Sequence, residues 1–382
     1  MLWYDNYLLV LKLRETILGR LLQRTSALVA VIIIVLTCLV AVFAYLIAPD
    51  GTPYANRMIV ELGAKQPGFE RQLLMVPKSF KQQQPSAIRQ WFAGKPSDHT
   101  AVPLNKYWWS SNQLHIEHYI DDDLADTLRY PLTTLIPEEH RHLSAQEQMQ
   151  YVEEQQIVHA KFYLGTDRYG RDILSRLIVG SRVSIAVGLV AVILSLSIGI
   201  FLGSLAGYFG GIIDNTVMWI INILWAIPTL LLVFAITLTV GKGFWEIFIA
   251  IGLTMWVSAA RLIRGQVMVL KEMEYITAAR ALGLGDMRII FHHILPNIAG
   301  PIMVIAASNF ATAILVEAGL SFLGIGVQPP QPSWGLMIKE HYNFLITNRP
   351  LLAIIPGLAI MLLVYAFNVL ANALRDVLDV RS

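Results

Sequence analysis

The sequence predicts an all-α membrane protein: six transmembrane helices, a short cytoplasmic helix, and a partly folded extracytoplasmic lobe inserted between helices 1 and 2. Three observations carry this. Of 382 residues, 55% are hydrophobic and only 15% charged, against about 25% charged in an average soluble domain, and mean hydropathy is +0.55. Six apolar runs are long enough, or nearly so, for the ~20 residues a spanning helix needs. One polar stretch, Pro49 to Phe162, interrupts them. This composition excludes a disordered chain and an ordinary cytosolic enzyme. A net charge of +2 gives no sign of nucleic-acid binding. The single cysteine, Cys38, excludes an intramolecular disulfide and a cysteine zinc site.

The first run, Ala27 to Ala48, carries no charge. It is too long for the 7–15-residue apolar core of a cleaved signal peptide, so it reads as a membrane anchor. The others run from about Val183 to Tyr208, Val217 to Val240, Phe244 to Ala260, Ile298 to Ile325 and Leu351 to Leu374. The third and fourth meet at Gly241-Lys242-Gly243, and the fifth ends in a turn at Gly324-Ile325-Gly326. Pro228 and Pro356 are candidate kinks.

An even number of spans puts both termini on one side. Eleven Lys and Arg fall on that side, among them Lys12, Arg14, Arg20, Arg24, Arg261, Arg264 and Arg381, against eight opposite, including Lys242. Basic loops stay inside, so the termini are placed in the cytoplasm.

The polar insert is too long for a structureless loop. Leu143 to His159 reads as a helix, with Ser144 and Glu147 in capping-box spacing. No strand is assigned. Six of the nine histidines lie here (His99, His115, His118, His140, His142 and His159). Their spacing alone does not make a metal site, and they read as solvated surface. Trp91, Trp108 and Trp109 read as lobe core or as an interfacial aromatic belt, with a protein contact as the third possibility.

No Gly-x-x-x-x-Gly-Lys-Ser/Thr phosphate loop, Gly-x-Ser-x-Gly or His-Glu-x-x-His occurs. Glu317 is the most conspicuous charge in a span, and its depth suits an interfacial or subunit-contact carboxylate.

Two polar segments stand out. Glu274 to Asn297 (EYITAARALGLGDMRIIFHHILPN) places Tyr275, Ala278, Ala279 and Leu282 at helical spacing on one small-residue stripe. Gly283 and Gly285 end that helix, and Asp286 is placed to cap a second one leading to Pro296. The stripe is rich in Ala, unlike a helix resting on lipid, and suits a protein groove. Leu164 to Ser175 (LGTDRYGRDILS) offers Asp167, Arg171 and Asp172 for a charged turn, followed by an amphipathic helix, Ile173 to Val179, lying flat on the surface.

These segments resemble a known family, the transmembrane permease subunits of ABC importers in the dipeptide and oligopeptide branch. Thr277, Ala278, Ala279, Gly283, Leu295 and Pro296 fall on the coupling signature Glu-Ala-Ala, Gly, Leu-Pro, with Thr277 where the general signature has Glu. Gly165, Thr166, Asp167, Gly170, Arg171 and Asp172 match the branch's Gly-Thr-Asp-x-x-Gly-Arg-Asp motif ahead of the second span. Glu317 to Pro330, with Trp334-Gly335, matches a third motif after the fifth span. The resemblance covers the first span and about Leu164 onward, leaving the insert outside it.

The resemblance implies a pore-forming subunit without enzymatic activity in the bacterial inner membrane. Its domains would be a cytoplasmic arm (1–26), a first span (27–48), the insert (49–163) and a permease core (164–382) with a coupling loop at 263–297. It implies a second homologous permease subunit, two cytoplasmic ATPase subunits that bind ATP and Mg, and an extracytoplasmic peptide-binding protein. No cofactor or metal is expected in this chain. Glu274, Tyr275, Ala278, Ala279, Arg280, Leu282 and Gly283 would couple to an ATPase. Asn222, Thr229, Asn309, Thr312, Asn368 and Asn372 are candidates for the translocation path, or equally for helix–helix hydrogen bonds. The alternatives are a proton-coupled carrier working alone through Glu317, and a membrane-anchored sensor whose lobe carries the function.

Overall fold

The first span forms α1 (Thr25–Val42), and a one-residue break at Phe43 leads into α2 (Ala44–Ile47). This computed structural model describes residues 17–79, 84–241, 243–346 and 349–378; Lys12, Arg14, Lys242 and Arg381 of the charge balance lie outside the described residues. α1 is uniformly apolar and only 17% of it is covered by the rest of the chain, as suits a helix whose solvent is lipid.

The insert is not a helical lobe. It holds a five-stranded antiparallel sheet in the order β4-β3-β2-β1-β5. The strands are β1 (Phe69–Pro77), β2 (His99–Ser110), β3 (Gln113–Asp121), β4 (Leu124–Pro131) and β5 (Ile157–Phe162). A short helix, α3 (Ala87–Ala93), lies between β1 and β2, and α4 (Ala145–Tyr151) precedes β5. In β3, Leu114 and Ile116 point into the lobe core with Leu74, Leu104 and Leu135, while His115 and Glu117 alternate outward. The expected capping box holds: Ser144 accepts from the Glu147 amide, and Glu147 accepts from the Ser144 amide. The helix expected over Leu143 to His159 ends early. Ile157 and Val158 are β-branched and pair with Leu74 and Leu73 of β1, so the sheet takes the last three residues. The lobe histidines do not converge: His115 stacks on Trp108, His140 packs tilted against Tyr151, and His118 lies 3.6 Å from Glu61.

The membrane core follows. α5 (Ile173–Phe209) is one helix of 37 residues. The surface-lying helix expected over Ile173 to Val179 is instead its first two turns, because nothing between Val179 and Val183 breaks the hydrogen-bond ladder. At 1.5 Å per residue it is about 55 Å long, well beyond the ~30 Å hydrocarbon layer, so part of it stands outside the layer. The expected span Val217 to Val240 is two helices, α6 (Gly211–Trp225) and α7 (Thr229–Val240), bent by 93° at Ala226-Ile227-Pro228. Pro228 supplies no amide to carry the ladder across. α8 (Phe244–Lys271) runs past its expected end at Ala260, carrying Arg261 and Arg264 on the helix itself. Then come α9 (Glu274–Ala281), α10 (Ala299–Phe322), α11 (Trp334–His341) and α12 (Leu351–Leu378), the last continuous through Pro356.

Contacts fix the direction of each crossing. Tyr208, at the end of α5, packs with Ile263 and Val267 near the end of α8 and with Ile276 and Ala279 of α9. Val183, near the other end of α5, packs with Ile247, Phe248 and Leu320. Arg24 pairs with Asp376 at 2.5 Å, joining the start of α1 to the end of α12. The described ends of the chain and α9 therefore share one side, and the lobe and α11 the other. Taking the bent pair α6–α7 as one span gives six among the described residues.

Candidate functional site

α9 is anchored on one face only. Ile276 and Ala279 are buried against Tyr208, Ile263, Val267, Ile289 and Ile290. Tyr275 and Leu282 are 44% and 82% exposed, and Ala278 is exposed beside them. The expected stripe is therefore divided: Ala279 faces its own chain, because the segment back to α10 folds beneath it, and Tyr275, Ala278 and Leu282 face outward. The end of α9 is a Schellman turn. The Leu284 amide bonds the Ala279 carbonyl at 3.2 Å and the Gly283 amide bonds Arg280 at 3.0 Å. Gly283 takes φ +78° with open space around the missing Cβ, so glycine serves the turn rather than a contact.

Arg280 does not project freely. Its Nη2 donates to Tyr208 Oη at 3.4 Å, and that hydroxyl donates to Asp286 Oδ1 at 2.7 Å. The Tyr208 hydrogen bond raises the Arg280 pKa above its ordinary value. Asp286 was expected to cap the following helix. It makes no cap bond, since its carboxylate is engaged by Tyr208. Glu274 stands exposed in the first turn of α9.

Behind α9, α5 and α8 touch backbone to backbone. A Cβ at Gly199, Gly203 or Gly207 would lie 2.6, 2.6 and 2.7 Å from Ala259 Cβ, the Ala260 carbonyl and the Arg264 carbonyl. Glycines four apart on one helix face let two helices approach this closely. The sequence carries this signal as Gly-x-x-x-Gly-x-x-x-Gly over Gly199, Gly203 and Gly207. Arg264 grips Asp214 with two parallel bonds, Nη2 to Oδ2 at 2.6 Å and Nε to Oδ1, tying α6 to α8. Behind α9, α5, α6 and α8 are thus tied to one another.

On the lobe side, the Leu164–Ser175 motif forms a closed clamp. Arg171 is fully buried. Its Nε donates to Asp167 Oδ2 at 2.5 Å, its Nη2 to Glu340 Oε2 at 2.9 Å and its Nη1 to Asn56 Oδ1 at 3.3 Å. Arg176 Nη2 reaches the same Glu340 oxygen at 3.4 Å. Asp172 caps α5 through the Ser175 amide at 2.8 Å, and Ser175 Oγ accepts from the Asp50 amide at 2.8 Å. Burial and neighbouring Asp50 push the Asp172 carboxyl above its usual range. Thr166 Oγ1 accepts from the Lys65 amide at 2.8 Å and donates to the Leu62 carbonyl. Gly165 and Gly170 take φ +78° and +71°, and a Cβ at Gly170 would lie 1.7 Å from the Ile59 carbonyl. The motif binds the lobe, the start of α5 and α11 together.

Asp167, Glu340 and His341 offer donor atoms within 4.8 Å of one another. Arg171 and Arg176 lie on the same carboxylates and already balance them, which disfavours a cation there. His341 is fully buried, and burial lowers its pKa to about 4. Glu317 is also fully buried. Ser321 donates to it at 2.6 Å, and Ser333 donates to Ser321 at 3.4 Å. It is enclosed within the chain rather than at an interface, because the turn at Gly324 folds the third motif back over α10. Trp334 locks that return by donating to the Leu177 carbonyl at 2.9 Å.

A cavity of about 270 Å³ opens at the α6–α7 bend and gathers Thr229, Asn309 and Thr312 with Thr254, Ser258 and Ser308. Asn309 also donates to Ser195 at 3.3 Å, a helix–helix contact. Asn222, Asn368 and Asn372 are exposed and do not line this cavity. Glu317 does not line it either.

Residues 199–382 match the model of the binding-protein-dependent transport system inner membrane component. A glutathione transport system permease protein, GsiD, of Pectobacterium atrosepticum is 42% identical over 217 residues, 57% of this chain and 72% of that one. The chain belongs to this family. It is a membrane-spanning permease subunit of an ABC importer, in the dipeptide and oligopeptide branch. A dipeptide permease, DppC, of Alkalihalophilus pseudofirmus is 44% identical over 220 residues, 58% of this chain and 72% of that one. An oligopeptide permease, OppC, of Bacillus subtilis is 43% identical over 217 residues, 57% of this chain and 71% of that one. Family membership gives no support to a proton-driven carrier working alone.

Proposed function

We propose that this subunit imports short peptides across the bacterial inner membrane, driven by separate ATPase subunits that seat α9 in a groove. The carrying observation is the divided helix. One face of α9 is locked into the core through Ile276 and Ala279, and the other presents Tyr275, Ala278 and Leu282 to solvent. A helix held this way can receive a partner and pass its displacement inward. In this reading the described ends and α9 lie in the cytoplasm and the lobe outside. ATP and Mg bind the ATPases, which close on ATP. α9 then turns closure into rigid-body rocking of α5, α6 and α8. A second permease subunit completes the pore, and an extracytoplasmic binding protein delivers the peptide. The polar cavity at the α6–α7 bend, with Thr229, Asn309 and Thr312, would face the path.

The test is uptake of labelled di- and oligopeptides into proteoliposomes carrying the whole transporter with its binding protein. Uptake should require ATP, and Leu282→Asp should abolish it while leaving membrane insertion intact. ATP-independent uptake, or full uptake by the variant, would overturn the reading.

A further inference from the structure

We infer that α3, in the lobe, lies in the interfacial layer of the bilayer, with its apolar face among lipid headgroups and upper acyl chains. Ile88, Trp91 and Phe92 stand at i, i+3 and i+4, so they share one face. That face is open: Ile88 is 71% exposed, Phe92 59% and Trp91 36%. Such a face in an otherwise folded lobe needs a cover.

The position of α3 says what covers it. Trp91 Nε1 donates to the carbonyl of Val42, the last residue of α1, at 3.0 Å, and its ring stacks on Phe43 at 6.0 Å. Arg182 of α5 donates to the Phe92 carbonyl at 2.7 Å, and the Lys95 amide bonds the Gly51 carbonyl at 2.9 Å. α3 is thereby fixed beside the lobe-side end of the least covered span. The exposed side chains Leu39 and Val42 of that span, Phe43 at the break and Leu46 and Ile47 of α2 lead up to it. The lipid-facing surface of α1 and the open face of α3 are neighbours on one continuous apolar strip.

Charge and side-chain type select lipid as the occupant. From Lys78 to Ser97 the sequence contains Lys78, Lys81, Arg89 and Lys95 and no acidic residue. Arg89 and Lys95 are exposed, and basic residues at a membrane surface are drawn to anionic headgroups. A Trp with its ring against apolar neighbours and its N–H satisfied is a residue type of the membrane interface. The consequence is mechanical. The lobe is held at two places, by the Asp167–Arg171 clamp on the protein and by α3 on the bilayer.

The test is spin-label accessibility in the assembled transporter, reconstituted in nanodiscs of phosphatidylethanolamine with phosphatidylglycerol. In a Cys38→Ser background, nitroxides are placed at Ile88→Cys, Phe92→Cys and, as a solvent control, the exposed Leu124→Cys of β4. The Ile88 and Phe92 labels should meet oxygen several-fold more than a water-soluble nickel chelate, and the Leu124 label the reverse. Labels at Ile88 and Phe92 that match Leu124 would place α3 in water. Labels shielded from both reagents would place a partner subunit on it. Either result overturns the inference.

Discussion

The two ends of the membrane core are built on opposite rules. On the lobe side, Arg171, Asp167, Glu340, Asp172 and Thr166 are buried or nearly so, and one arginine serves three acceptors on different segments. On the α9 side, a single apolar face and one Arg280–Tyr208–Asp286 chain hold an eight-residue helix whose other face is bare. The first arrangement tolerates no movement without unpairing a buried charge. The second rests one face on the closely packed α5–α8 pair and leaves the other free. The contrast separates an end closed on itself from an end with a helix face left open.

Removing the centre of the clamp is the severest way to break that contrast. Arg171→Gln leaves buried Asp167 without its cation and Glu340 with Arg176 alone, and losing one partner of a buried pair costs about 3–5 kcal/mol. The lobe should become sensitive to protease and the purified subunit should lose thermal stability. Unchanged melting would mean that the clamp is not the fixed end.

Acidification attacks the same end through His341. Its folded pKa, near 4, lies below the ordinary value because burial disfavours the charged ring. Its contribution is therefore present above about pH 6.5 and is lost as pH falls toward 4. At 1.36 kcal/mol per unit the full loss is about 3 kcal/mol. Asp172 acts in the opposite sense, since its raised pKa adds stability as pH falls. His341→Leu should remove the loss of melting temperature that the buried ring causes between about pH 6.5 and 4, while the opposing contribution of Asp172 stays.

A milder change sharpens the rigid-transmission side. Gly203→Val forces a side chain against the Ala260 carbonyl, 2.6 Å from the first added carbon. Overpacking of this kind costs about 1–3 kcal/mol. Coupling should suffer more than stability, so ATP hydrolysis should continue with reduced peptide uptake. Parallel loss of both would point to simple misfolding.

Much of this was legible in sequence because the signals are local. The apolar runs placed the spans, and the Ser144–Glu147 pair placed a helix start. The order of Gly165, Asp167, Gly170 and Arg171 announced a tight charged turn. What stayed hidden depends on distant partners. The lobe sheet was obscured by Pro103 within β2 and by a register shift between Leu104 and Lys106, which interrupt the alternation that reveals a strand. Pro228 marked a break, but a proline in the sequence does not give the 93° angle between the two helices. The burial of Arg176 and His341 has no local signal, because α11 brings Glu340 to the clamp from more than 160 positions along the chain. Ala279 fell in the apolar stripe, and only the fold beneath α9 decides which side of that helix is open.

The most direct test is co-purification of the ATPase subunits with the permease from detergent-solubilised native membranes. Wild type is compared with Leu282→Asp, whose site is 82% exposed, so stability should stay within about 0.5 kcal/mol. A charge introduced at a packed contact should cost about 1.4 kcal/mol or more, at least tenfold in affinity. The ATPases should accompany wild type and fall away from the variant while the second permease subunit remains. Equal recovery of the ATPases with both proteins would contradict it.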